Sequence, residues 1–193
     1  MLESLKNIDT QLFLAINGIN SPAIDPVMFW ISQRWIWIPL YLFFVWLLYR
    51  HYGKKALLLV ILAGLMIVIS DQTSVHLFKN VFLRLRPCHE PSLAGMVHLV
   101  DGRCGGKYGF ISSHAVNSFA LATYLSFLLG KRIRYFTPLI LFWAFLLSYS
   151  RIYLGVHYPG DVIAGGLWGA GIGAAIFIIS IRIPFLPSSQ PSP

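Results

Sequence analysis

Charged residues are scarce. Asp, Glu, Lys and Arg make up 11% of the 193 residues, against roughly 25% in soluble domains, which excludes an ordinary soluble protein. Acids are scarcest, at 7 against 15 Lys and Arg. The chain has no internal repeat and no long linker, so one unit over residues 1–183 is expected. A Pro/Ser-rich tail, residues 184–193, follows it and reads as disordered. The N-terminal residues lack both a basic lead and a long apolar stretch, and so do not form a cleaved signal. Cysteine is limited to Cys88 and Cys104, and the histidines show no metal-ligand spacing. No metal, no cofactor and no nucleic-acid partner are expected.

What is abundant is apolar side chain, 56% of the residues. It gathers in runs of roughly 20, the length that crosses ~30 Å of hydrocarbon as a helix. The expected fold is an all-α integral membrane protein, a bundle of five spanning helices. The spans are about Val27 to Leu48, Lys55 to Phe78, Ser113 to Leu129, Tyr135 to Tyr153 and Asp161 to Ile183. Leu2, Leu5, Ile8, Leu12, Phe13 and Ile16 recur at helical spacing and mark residues 1–20 as an amphipathic helix lying in the interface, a sixth helix if counted. Neither terminus is expected to carry chemistry.

Arg50, Lys54 and Lys55, then Lys131, Arg132 and Arg134, and finally Arg182 occupy short connections free of acids. The positive-inside rule puts them, and the C-terminus, in the cytoplasm. The long connection 79–112 and the stretch from Leu154 to Gly160 then face outwards, as at the periplasmic or exterior side of a bacterial inner membrane. An oxidising compartment there allows a Cys88–Cys104 disulfide, worth ~3 kcal/mol if unstrained. Two unpaired thiols are the alternative.

Three stretches at these outer helix ends carry chemistry. Lys79, Arg84 and Arg86 place three cations within eight residues, the arginines as planar forks suited to phosphate oxygens. Alone, they read equally as cations for anionic headgroups. Ser112, Ser113 and His114 open a helix, where free backbone amides and the helix dipole favour an anion. His114 could reach the same anion as a proton donor. In the third stretch Arg151 precedes His157, and Asp161 follows after a Pro-Gly turn. A carboxylate near a histidine holds one ring nitrogen protonated and leaves the other free to attack phosphorus. A helix cap beside a surface histidine is the bland reading.

Together these stretches resemble the three motifs of the type 2 phosphatidic acid phosphatase family, which also includes the vanadium haloperoxidases. Lys79, Arg86 and Pro87 match its Lys-x6-Arg-Pro, and Ser150, Arg151, His157 and Asp161 match its Ser-Arg-x5-His-x3-Asp. The second motif, Pro-Ser-Gly-His, keeps Ser112 and His114 but has Ile111 for proline and Ser113 for glycine. The resemblance implies a metal-independent lipid phosphatase. His157 would be the nucleophile and form a phosphohistidine, with Asp161 orienting it. His114 would act as general acid and base, while Lys79, Arg86, Arg151, Ser112 and Ser113 hold the phosphate. Arg84 and His76 are auxiliary candidates. The expected partner is a membrane lipid with a phosphate headgroup: phosphatidate, phosphatidylglycerophosphate, undecaprenyl diphosphate or a lipid A phosphate. Transfer to another acceptor, or a non-catalytic lipid-binding or transport role, are the alternatives; the haloperoxidases are soluble and much larger.

Two further features lie within the spans. Asp71 sits beneath the site, where it is expected to pair with Arg34 and join two helices; separate contacts of each with water or backbone are the alternative. Gly165, Gly166, Gly169, Gly171 and Gly173 make the last helix smooth, for helix packing or a homodimer.

Overall fold

The computed structural model describes residues 2–183; the expected tail lies outside the described residues. Eight α-helices follow in order: α1 (Leu2–Asn17), α2 (Asp25–Ile31), α3 (Ile38–Tyr52), α4 (Ala56–Thr73), α5 (Asn80–Phe82), α6 (Ser113–Leu129), α7 (Phe136–Tyr153) and α8 (Pro159–Arg182). Among the described residues there is no strand, only an antiparallel bridge between Leu85 and Tyr108.

Three stretches are long and apolar enough to cross a membrane: Trp35–Phe82, Phe136–Tyr153 and Pro159–Arg182. The first has 48 residues and is folded back at Gly53, which ends α3 at φ 58°, a conformation open to glycine at little cost. It thus holds α3 and α4 side by side. α6 is the hub of the bundle, packed against α4, α7 and α8. Its 17 residues include Ala115, Val116, Ala120, Tyr124 and Leu129, all buried.

The helix expected from Val27 to Leu48 is two helices. α2 stops at Ile31, and a turn through Ser32–Arg34 leads into a 3₁₀ turn, Trp35–Trp37, before α3. Pro39 sets this boundary. It lacks the N–H that would bond four residues back, so it is tolerated only in a first turn.

Gly165, Gly169 and Gly173 recur one turn apart on α8 and lie against the α6 backbone. A methyl at Gly165 would sit 2.8 Å from the Ser112 carbonyl, and methyls at Gly169 and Gly173 would strike the carbonyls of Val116 and Ala120. The face that carries these three glycines is therefore filled by α6 of the same chain, whereas Gly171 has nothing within 4 Å.

The two basic turns share one end of the bundle. Tyr52 donates to the Leu128 carbonyl at 2.7 Å, and Arg132 lies 4.9 Å over the Tyr52 ring. At the other end α1 docks. Leu5, Ile8 and Leu12 form its exposed apolar stripe. Its other face sends buried Phe13 edge-on against Tyr158, with ring centroids 5.4 Å apart. Asn17 donates to the carbonyls of Tyr153 and His98 at 2.7 and 3.0 Å.

Candidate active site

Lys79 ends a π-helical turn, Ser74–Lys79, that continues α4; such widened turns recur at functional sites. Its Nζ donates to Ser113 Oγ at 2.5 Å, and Ser113 Oγ also meets Ser74 Oγ at 2.7 Å. The hydroxyl that replaces the family's glycine hydrogen therefore holds the lysine.

Arg86 lies in the loop beyond α5 and is fixed by backbone. Its N–H donates to the Lys107 carbonyl at 3.1 Å, and Gly109 N–H donates to the Arg84 carbonyl at 2.9 Å. The guanidinium donates to the carbonyls of Tyr108 and Cys104 at 3.3 and 3.2 Å. Cys88 and Cys104 form the disulfide that closes this loop, with Cα atoms 5.9 Å apart. Ligand atoms of Cys88, His89 and Cys104 all lie within 4.8 Å of one another, but the disulfide withholds both sulfurs as thiolate ligands.

The third stretch explains its own spacing. After α7 the N–H groups of Val156 and His157 return to the Arg151 carbonyl at 3.1 and 3.2 Å, through Gly155 at φ 75°. This tight loop turns His157 back over Arg151. Among the described residues the Ser150 hydroxyl bonds only to the Leu147 carbonyl, at 2.6 Å, a structural contact. His157 Nδ1 lies 3.4 Å from Asp161 Oδ2, with the two side chains 2% and 0% exposed. Asp161 Oδ2 also accepts from Tyr158 N–H at 3.1 Å, and Oδ1 accepts from Arg84 at 2.9 Å. Burial holds the His157 pKa well below the usual imidazole value, reinforced by Arg86, Arg151 and Lys79. This favours the neutral ring, and the ring nitrogen that does not face Asp161 is free of that carboxylate.

Lys79, Arg86, Ser113, His114, Arg151 and His157 line one cavity of about 630 Å³. Away from these groups its wall turns apolar, with Phe44, Val60, Ile67, Leu121, Leu125 and Trp143. Arg151 bonds to Ser32 Oγ, while its Nε is buried without a partner among the described residues. Such a donor suits an anion's oxygen. One candidate, Ser112, is displaced. It is fully buried, does not wall the cavity, and its Oγ has no partner among the described residues.

Other sequence expectations change. His76 bonds Gln72 at 3.1 Å on an exposed face and does not reach the cavity. Arg34 and Asp71 both line the cavity, but no ion pair joins them. Because the helix breaks at Ser32–Arg34, Arg34 stands in a turn instead of on a continuous span. Arg84 faces carboxylates: besides Asp161 it donates to Asp9 at 2.7 Å. Asp9 also accepts from Gly160 N–H at 2.7 Å, at the start of α8. The N-terminal helix thus reaches the site, contrary to expectation; the one signal in the sequence was an acid beside the apolar stripe of α1. Gly109 was missed too. A methyl there would lie 3.0 Å from Arg86 Cγ and 3.1 Å from Asp161 Oδ2, so its lack of a side chain lets the two approach.

The PAP2 superfamily model matches residues 53–183. A lipid A 4'-phosphatase of Bacteroides thetaiotaomicron is 40% identical over 196 aligned positions, covering 100% of this chain and 86% of that protein. A lipid A 4'-phosphatase of Porphyromonas gingivalis is 36% identical, covering 99% and 81%. The crystal structure of a transmembrane PAP2 type phosphatidylglycerolphosphate phosphatase from Bacillus subtilis superposes with a TM-score of 0.67 at 21% identity, covering 93% of this chain and 88% of that one. Three motifs converging on one cavity, on this fold and with these relatives, have a single origin: the chain belongs to the PAP2 superfamily.

Proposed function

We propose that this chain, a membrane lipid phosphatase of PAP2 type, hydrolyses a phosphomonoester of a lipid A-type glycolipid, releasing phosphate, at the outer face of a bacterial inner membrane. The observation that carries this reading is His157 at the cavity wall, with Nδ1 on Asp161 and with Lys79, Arg86 and Arg151 around the same space. With Nδ1 occupied, Nε2 is the attacking atom. It bonds to phosphorus as the bond to the lipid oxygen breaks. The three cations stabilise the charge that develops on the phosphoryl oxygens. His114 donates its proton to the departing oxygen, then takes one from the water that cleaves the phosphohistidine and releases phosphate. The lipid names of the relatives that match nearly the whole chain support the glycolipid substrate.

In this reading α3, α4, α6, α7 and α8 are the five spans. The basic turns at the far end, with Arg132 over Tyr52, support a cytoplasmic location for that end and the C-terminus. Any homodimer would use a face other than the glycine face of α8. The test is phosphate release by purified protein from a lipid A-type phosphate, phosphatidate, phosphatidylglycerophosphate and undecaprenyl diphosphate. Release from the glycolipid, inhibited by vanadate, independent of magnesium and abolished in His157→Ala, is expected. An active His157→Ala beside an inactive His114→Ala would overturn the assignment of nucleophile.

A further inference from the structure

A second, smaller cavity of about 340 Å³ adjoins the site, walled by Ser32, Gln33, Arg34, Trp35, His114 and Arg151. Small-molecule sites occupy roughly 300–1,000 Å³. It shares Ser32, Gln33, Arg34, His114 and Arg151 with the larger cavity and adds Trp35, while His157, Lys79 and Arg86 line only the larger one. It therefore lies on the acid–base side of the phosphoryl group, away from the nucleophile. In an in-line displacement the leaving oxygen departs opposite the attacking one, and its proton donor must stand within hydrogen-bond reach. This is the space the departing alcohol occupies.

Its walls have a definite chemistry. The Arg34 guanidinium has no hydrogen bond or ion pair among the described residues. Gln33 spends Nε2 on the Phe29 carbonyl at 3.4 Å and keeps its side-chain oxygen as an acceptor. Trp35 is 77% exposed. No carboxylate walls this cavity. The break between α2 and α3 is what assembles it. On a continuous helix residues i and i+2 point apart, whereas the turn brings Gln33, Arg34 and Trp35 to one cavity.

A flat aromatic face beside one free donor and one free acceptor matches a pyranose ring, which offers an apolar C–H face and a rim of hydroxyl and ester oxygens. Glycerol and polyprenyl chains offer no rigid ring to lay against indole. We infer that Gln33, Arg34 and Trp35 form the subsite for the sugar that carries the phosphate, and so select a glycolipid phosphate over a glycerolipid phosphate. This inference rests on the phosphatase reading above.

The test compares kcat/KM for a lipid A-type disaccharide monophosphate and for phosphatidate, using full-length protein in detergent. Trp35→Ala and Gln33→Ala should each lower the glycolipid-to-phosphatidate ratio by about tenfold, near what one good hydrogen bond or stacking contact contributes, and Trp35→Phe should restore most of it. An unchanged ratio, or a wild type that prefers phosphatidate, overturns the subsite and leaves the phosphatase reading standing. A wild type that releases phosphate from neither of these lipids, nor from phosphatidylglycerophosphate or undecaprenyl diphosphate, overturns the phosphatase reading instead. Binding then decides the subsite: by native mass spectrometry, His157→Ala should retain the glycolipid and His157→Ala/Trp35→Ala should lose it. Equal retention overturns the inference.

Discussion

Arg84 donates from Nη1 to Asp161 Oδ1 at 2.9 Å and from Nη2 to Asp9 Oδ2 at 2.7 Å. The carboxylate that faces His157 is thus itself held by a fork whose second prong ends on the N-terminal helix. Replacing Arg84 by Gln removes the charge while Tyr158 N–H stays on Asp161. Roughly a 10–100-fold fall in kcat is expected, as for other groups that orient a reactive ligand from behind, with KM nearly unchanged because the phosphate-facing cations remain. Arg84→Lys keeps the charge but not the fork and should recover only part. A KM effect of the same size would mean that Arg84 binds phosphate directly.

Ser113 accepts from Lys79 at 2.5 Å, so its hydroxyl is part of how the lysine is aimed. Hydrogen bonds to charged groups contribute about 1.5–3 kcal/mol at most, and Lys79 keeps its charge without this one. Ser113→Ala should therefore raise KM by roughly three- to tenfold, with a smaller effect on kcat. Steady-state kinetics on the glycolipid phosphate measure both, and a dead enzyme would contradict this account.

The three motifs were legible because each gathers its chemistry into consecutive residues: Lys79 to Arg86, Ser112 to His114, Arg151 to Asp161. The long helices after Gly53 were legible because apolar runs report helices directly. What hydropathy cannot see is continuity, so the break at Ser32–Arg34 was read as one span although Pro39 was there to mark it. Pairings across the chain were equally hidden. Asp9 and Arg84 are 75 positions apart, and nothing in either neighbourhood names the other. The glycines of α8 announced close packing, but their partner, α6, appears only in the fold.

The buried His157 ring has its pKa pushed well below 6.5, first by burial and then by Arg86, Arg151 and Lys79. Attack requires the neutral ring. The acid limb of kcat/KM should consequently fall with a midpoint below pH 6.5, and activity should be full on this limb at pH 6.5 and above. Stability follows the same sign. Below pH 6.5 the unfolded chain takes up a proton that folded His157 refuses, so acidification destabilises the protein until the folded pKa is passed. A pH–rate profile with its acid midpoint at or above 6.5 would show that another group limits attack.

Opening the Cys88–Cys104 disulfide frees a loop of 16 residues and should cost ~3 kcal/mol, if the loop is otherwise unconstrained when unfolded. The same loop supplies the Cys104 carbonyl that holds the Arg86 guanidinium at 3.2 Å. Cys88→Ser/Cys104→Ser should therefore lower Tm and raise KM together, with kcat less affected. A lowered Tm with unchanged KM would show that the anchors at Lys107 and Tyr108 suffice for Arg86.

Gly169 and Gly171 occupy the same helix two residues apart, yet only one should tolerate a methyl group. At Gly169 the added carbon would strike the Val116 carbonyl on α6, which is backbone and cannot rotate away; at Gly171 nothing lies within 4 Å. Overpacking of this kind costs roughly 1–3 kcal/mol. Here it also pushes apart the two helices whose first turns carry His114 and Asp161. Gly169→Ala should thus lower Tm and kcat together, while Gly171→Ala leaves both near wild type. Thermal melts and turnover on one preparation check this. A Gly169→Ala enzyme with normal kcat and reduced Tm would mean that the loop carrying His157, and not the α6–α8 contact, sets the distance between nucleophile and proton donor.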